Sequence, residues 1–236
     1  MRTITKSLLC VLCTLLSVTA NAGDYRVTDF GAKADGITLN TNIIQHAIDH
    51  VSSHGGGNLV FTPGRYLTGT IYLKSDVTLM LENGAELLGS TNPWDYDKSP
   101  VVNWQSLIFA FGQKNIAIRG KGTIASGGRE LAEKIIADEQ EHLKDYLAEH
   151  AALVAECENE RTIPGRVRPR LINMSNCRNV WVHGLTLKNG ASWNQHMIYS
   201  DNITTDHCRF VSEGVWNGDG WDPDSSTNCT LFACEF

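Results

Sequence analysis

Asn179-Val180-Trp181-Val182-His183-Gly184-Leu185-Thr186-Leu187 is the stretch whose pattern decides the fold, because it comes back twice. Asn202-Ile203-Thr204-Thr205-Asp206-His207-Cys208-Arg209-Phe210 repeats it 202 − 179 = 23 residues later, and Asn228-Cys229-Thr230-Leu231-Phe232-Ala233-Cys234-Glu235-Phe236 repeats it after another 228 − 202 = 26. Each copy starts on asparagine and places apolar or β-branched residues first and third after it. That is the period-2 pattern of a strand with one buried face. A fourth copy, Asn115-Ile116-Ala117-Ile118-Arg119-Gly120, stands 179 − 115 = 64 residues earlier, a gap that holds an insertion. A unit of this length contains two or three short strands and cannot bury its own apolar face, so successive units stack. Asparagines recurring at one place in each unit are positioned to ladder, each amide bonding the next. The reading is an all-β chain, a right-handed parallel β-helix. A β-sandwich also uses short alternating strands, but it has no need of asparagine at a fixed place in a near-constant period.

The same pattern extends toward the N-terminus. Asn58-Leu59-Val60-Phe61, Thr70-Ile71-Tyr72-Leu73 and Val77-Thr78-Leu79-Met80-Leu81 read as strands, punctuated by Gly55-Gly56-Gly57 and Pro63-Gly64. Before them, Asn40 to Ser52 carries Ile43, Ile44, Ala47, Ile48 and Val51 on one helical face. A solenoid needs its open end covered, and this helix is the expected N-terminal cap. Arg129 to Glu160 breaks the strand pattern. It is rich in Glu, Ala, Lys and Leu, with an apolar stripe at Ile136, Leu143, Leu147 and Val154. A helical insertion near 129–160, lying outside the solenoid, is expected there, with Pro164 and Pro169 marking the return to strands.

Residues 1–22 read as a cleavable secretory signal: Arg2 and Lys6, an apolar run from Leu8 to Val18, and Ala20-Asn21-Ala22. The expectation is one β-helix domain over 23–236 in a secreted or periplasmic protein, with no membrane span. Cleavage takes the net charge from −6 to −6 − 2 = −8. That balance argues against nucleic acid, whose phosphates call for a basic surface. Five cysteines remain, Cys157, Cys177, Cys208, Cys229 and Cys234, with irregular spacing and no CxxC pair. Buried small hydrophobes are the expectation, with a disulfide left open. No metal site and no cofactor are expected, and His183 and His207 are read as structural.

Val215-Trp216-Asn217-Gly218-Asp219-Gly220-Trp221-Asp222-Pro223-Asp224-Ser225-Ser226 packs three carboxylates, two glycines and two tryptophans into twelve residues. Crowded carboxylates beside aromatics suit a cation or acid–base work on a stacked sugar. An acidic, Asx-rich turn is the plain alternative. His196, after Trp193, either lines a sugar cleft or is a hydrogen-bonded surface histidine. Trp216 and Trp221 either stack on sugars or pack on the wall.

Several of these segments together resemble the pectin-degrading polygalacturonases of glycoside hydrolase family 28. Val27-Thr28-Asp29-Phe30-Gly31-Ala32-Lys33-Ala34-Asp35-Gly36 is similar to the family's start, and Phe61-Thr62-Pro63-Gly64-Arg65-Tyr66 and Ser192-Trp193-Asn194-Gln195-His196 follow it. Asn217-Gly218-Asp219-Gly220-Trp221-Asp222 resembles its Asn-x-Asp motif. The resemblance implies inverting hydrolysis of α-1,4 galacturonosyl links, with the backbone, galacturonan or rhamnogalacturonan, left open. It implies Asp219 as a water-activating carboxylate, Asn217 as its positioning partner and Asp222 in support. Beside it, His196, Trp193 and Trp221 are the candidate substrate contacts, and a monomer is expected. The family pattern continues with an adjacent Asp pair that this chain lacks. The expectation is therefore the N-terminal part of a longer enzyme, inactive as it stands. A calcium-dependent pectate lyase and a non-catalytic sugar-binding β-helix are the rival readings.

Overall fold

The computed structural model describes residues 23–98, 105–152 and 168–236. The expected leader at 1–22 lies outside them, as do Cys157 and the end of the expected insertion. Three parallel sheets make up the described solenoid, and each strand inside a sheet pairs with the strands one coil before and one coil after it. The first sheet has seven strands, Gly23–Arg26, Gly57–Phe61, Val77–Leu81, Lys114–Gly120, Arg178–His183, Asp201–Asp206 and Thr227–Phe232, in that order. The second has six strands and the third five. The chain is a right-handed parallel β-helix, the solution that stacked units with one buried face allow.

The repeat sets both the strands and the corners. Asn115, Asn179, Asn202 and Asn228 all sit at φ between 51° and 57°, the left-handed region that asparagine tolerates better than most residues. The same offsets recur at two other corners: Asn176, Tyr199 and Ser225, then Gly184, His207 and Ala233. The side-chain ladder forms as expected through its middle. Asn179 Nδ2 donates to Asn115 Oδ1 and Asn202 Nδ2 to Asn179 Oδ1, each at 2.8 Å. Its ends differ. Asn115 donates to Asp76, and Asn228 turns away from Asn202 to Asp201 Oδ1 at 2.7 Å. A carboxylate oxygen is the stronger acceptor and wins where one is in reach.

We expect Asn179→Ala to cost about 2 kcal/mol, from two ladder bonds and a Cβ-bearing residue without a local polar side chain held at positive φ. Asn179→Gly, which suits that φ, should cost clearly less. Urea unfolding midpoints compare the two, and equal losses would show that the corner conformation adds nothing.

The core is a column of side chains, one layer per coil. Leu59, Leu79, Ile118, Val182 and Ile203 line the first sheet's inner face, all fully buried. The helix α1, Thr41–Ser53, buries Ile44, Ala47, Ile48 and Val51 against the first coils, as a cap must. The helix α2, Gly128–Glu149, is the expected insertion. Its buried residues correct the expected stripe. Leu131, Ala132, Ile135 and Ile136 are buried, the first three joining the core column, so the first turns dock on the solenoid rather than standing clear of it. The reason is that the chain leaves the coil at Gly128 and the helix starts against the wall. Leu143, Leu147 and Val154 of the expected stripe lie outside the described side chains. Cys177 and Cys208 are buried and free, whereas Cys229 and Cys234 are free but only half-buried. Among the described residues no helix is long and apolar enough to cross a membrane.

Candidate functional site

The repeat that stacks asparagines also stacks chemistry on the third sheet. Asn173 pairs with His196, and His196 with Asp222, in register across three consecutive coils. The offsets are the ladder's own: 196 − 173 = 23 and 222 − 196 = 26. A second row lies three residues earlier in each coil, at Arg170, Trp193 and Asp219. There Leu171 N bonds Trp193 O at 3.0 Å, and Asn194 N bonds Asp219 O at 2.8 Å. Alternation decides which side chains face outward. Ile172, Met174 and Met197 enter the core, which leaves Asn173 and His196 on the outer face.

Arg170 lies 4.6 Å over the Trp193 ring, and Trp193 lies 4.9 Å from His196. His196 is only 4% exposed although it is on the outer face. Among the described residues, both His196 nitrogens, Asn173 Oδ1, Asp222 Oδ2 and Arg170 Nε are buried without a hydrogen-bond partner. Groups of this kind normally find partners, and four residues lacking them in adjacent positions mark a surface built for a polar ligand. Burial, with the Arg170 charge, pulls the His196 pKa down to about 4, so its imidazole is neutral at pH 5–8. Asp224 Oδ2 is 3.9 Å from His196 Nε2, too far for a hydrogen bond.

Asp222 moves the other way. Burial first, then the neighbouring charge of Asp219, raises its pKa to about 6, with Arg170 opposing. An acid whose folded pKa is raised stabilises the fold fully below its unfolded value, near 3.8, and loses that contribution as pH rises through 6. We therefore expect Asp222→Asn to stabilise the protein by about 1–2 kcal/mol at pH 8, after allowance for partial exposure, and to be neutral near pH 3.5. Urea midpoints at the two pH values measure this, and a pH-independent effect would refute it.

Asp219 itself is exposed, on a loop tied down from behind. Arg168 is 2% exposed. Its Nη1 donates to Ala191 O at 2.6 Å and Trp216 O at 2.9 Å, and its Nη2 to Asn217 Oδ1 at 2.9 Å. The Asn217 carbonyl thus serves Arg168, so Asn217 holds the loop rather than the Asp219 carboxylate. Gly220 lies under the ring of Phe236, where an added Cβ would come within 2.5 Å of a ring carbon.

Of the residues expected at the site, Asp219, Asp222, His196 and Trp193 come together. Trp221 does not. It follows the inward parity of its strand, and its Nε1 donates to the inward Thr205 Oγ1 at 3.2 Å, so it packs on the core as wall. Arg168, Arg170 and Asn173 were missed, yet the 23-residue offset applied to Trp193 and His196 points to two of them. The chain also holds one Arg-x-Lys triplet, Arg119-Gly120-Lys121, but at the end of a first-sheet strand, not in these rows.

Residues 25–91 match the family model described as rhamnogalacturonase A/epimerase, pectate lyase-like. Relatives of more than one kind run along most of the chain, from polygalacturonases to the plasmin and fibronectin-binding protein A of Streptococcus pneumoniae, 27% identical over 80% of this chain and 24% of its own length. The exo-poly-alpha-D-galacturonosidase of Dickeya chrysanthemi is 31% identical over 89% of this chain and 40% of its own length. The solved family 28 exopolygalacturonase of Yersinia enterocolitica is 28% identical, with a TM-score of 0.74 over 90% of this chain and 43% of that one. The hyperthermoactive exopolygalacturonase of Thermotoga maritima is 25% identical, with a TM-score of 0.72 over 90% and 52%. Along most of its length the chain is similar to family 28 polygalacturonases. It spans about two fifths of the length of the curated relatives it matches.

Proposed function

We propose that these residues form the water-activating side of an inverting glycoside hydrolase acting on α-1,4 galacturonosyl linkages in pectic polysaccharide. The observation that carries this reading is the pair of stacked rows, Arg170–Trp193–Asp219 and Asn173–His196–Asp222. Trp193 offers an aromatic surface beside the acids, and Arg170 offers a cation to a sugar carboxylate. Asp219 and Asp222 differ in burial, so one is exposed as a proton acceptor while the other holds a proton to near pH 6. Inversion needs an acid set about 6.5–9.5 Å from the base, with water between base and sugar. No adjacent Asp-Asp pair stands among the 236 residues, and we expect no useful turnover from them alone. The leader at 1–22 supports export to the periplasm or medium, and N-terminal sequencing of the exported protein should begin at Gly23. Size-exclusion chromatography tests the expectation of a monomer.

The decisive experiment incubates polygalacturonate, and separately rhamnogalacturonan, with a longer protein containing these residues and an Asp pair. New reducing ends without ultraviolet-absorbing products are expected. Unsaturated, absorbing products would reassign it as a lyase. Sugar binding with neither product would reassign it as a binding module.

A further inference from the structure

Away from these rows, on the first sheet, two imidazoles from successive coils converge on one carboxylate oxygen. His183 ends one strand, Asp206 ends the next, and the two pair in register. His183 Nδ1 and His207 Nδ1 each lie 2.9 Å from Asp206 Oδ2. The other oxygen, Oδ1, accepts from Trp181 Nε1 at 2.7 Å. His207 stands at φ 53°, at the corner where the neighbouring coils carry Gly184 and Ala233. A histidine at a corner otherwise given to small residues, folded back onto a buried carboxylate, has no role in the ladder or the core.

We propose that His183, Asp206 and His207 bind a divalent transition ion of the zinc type, as a clip between two coils. Their ligand atoms lie within 4.8 Å of one another. Two imidazole nitrogens and one carboxylate oxygen suit zinc, nickel or copper, whereas calcium takes six to eight oxygens. Tetrahedral zinc, about 2.1 Å from each ligand, sets neighbouring ligand atoms roughly 3.4 Å apart, so each N···O pair must open by about 0.5 Å. The side chains of His183 and His207 are 36% and 57% exposed and have room to do so. The indole of Trp181 fixes the carboxylate and leaves Oδ2 as the ligand, the usual task of an outer partner. The fourth position is left to water. Arg119, paired in register with His183, lies over Trp181 at 5.9 Å and bonds Asn58 Oδ1, and Lys121 lines the same pocket as His183. Phe232, on the following coil, brings an apolar edge to His207.

The HxxxH spacings in the chain, His46 to His50 and His50 to His54, fall on or just past α1, and no local motif marks these ligands because they are one coil apart, at 206 − 183 = 23. The test uses the tag-free chain, titrated with zinc chloride by calorimetry and melted with zinc or with a chelator. One saturable site is expected, with Tm raised by about 5–10 °C at a hundredfold excess over Kd. His183→Gln with His207→Gln should abolish both effects. His54→Gln, which breaks up the stacked His50–His54 pair on α1, should leave them unchanged. If the double variant does not fold, the exposed His207→Gln alone should weaken binding at least about tenfold, as loss of one of three ligands requires. No saturable binding, or binding unchanged in the His207 variants, would overturn the proposal. Sugar cleavage is not read in this test, so the result stands apart from the hydrolase reading.

Discussion

Asp219→Asn, made in a longer protein that contains these residues and hydrolyses galacturonan, is expected to lower kcat at least about a hundredfold. The amide keeps the size and the backbone bond from Asn194 N to the residue 219 carbonyl, so the loop should stay in place. What it loses is the capacity to accept a proton from water, and general-base help is worth about 10²–10⁴-fold. KM should change little, because Asp219 is the exposed end of its row and not one of the buried unpartnered groups. Reducing-end release across a substrate series separates the two parameters. Asp222→Asn is the informative partner. A larger loss of kcat in that variant than in Asp219→Asn would move the base to Asp222 and sink the assignment.

Arg168→Met should be the most destabilising single change at the site, by about 3–5 kcal/mol, lowering Tm by roughly 10 °C. The methionine keeps much of the stem's bulk but removes a buried charge that spans two coils. It leaves the Ala191 carbonyl, the Trp216 carbonyl and the Asn217 amide without their donor. Charge-assisted bonds of this kind are each worth about 1.5–3 kcal/mol. The guanidinium also lies 4.6 Å over the Trp216 ring, a contact that methionine replaces only in part. Burial lowers the Arg168 pKa only to about 10, so the clamp is charged throughout the neutral range. Arg168→Lys should recover less than half of the loss, because one ammonium cannot fork to three acceptors. Thermal unfolding gives the stability, and hydrogen exchange over 215–222 reports whether the acidic loop comes free. A Tm within two or three degrees of the parent, about the effect of 1 kcal/mol in a chain of this size, would show that the loop is held by other contacts.

How much of this was legible in the chain depends on the range of each interaction. The solenoid was, because strand alternation and the asparagine corners are local properties repeated at 23 and 26 residues. α1 was, because an amphipathic face is written within a few turns. At the site, Asp219, Asp222, Trp193 and His196 were picked out by residue type and by family resemblance. Their grouping into two rows was also latent in the sequence, since each row follows the ladder's offsets.

Other features had no local signal. Trp221 and Trp193 are equally aromatic, and only the parity of the strand Trp221–Asp224 against the core turns one inward. Asn228 matches Asn202 in sequence, yet it bonds Asp201 because that carboxylate lies within reach across the coil. Arg168 stands 217 − 168 = 49 residues from the asparagine it clamps. The docking of Leu131, Ala132 and Ile135 depends on the angle at which α2 leaves Gly128. The sequence by itself determined the period, the inward and outward alternation, and the corners that prefer asparagine or glycine. The tertiary structure alone decided which outward groups are buried without partners, and so that His196 stays neutral while Asp222 holds its proton to near pH 6, because desolvation and charge act through space between coils.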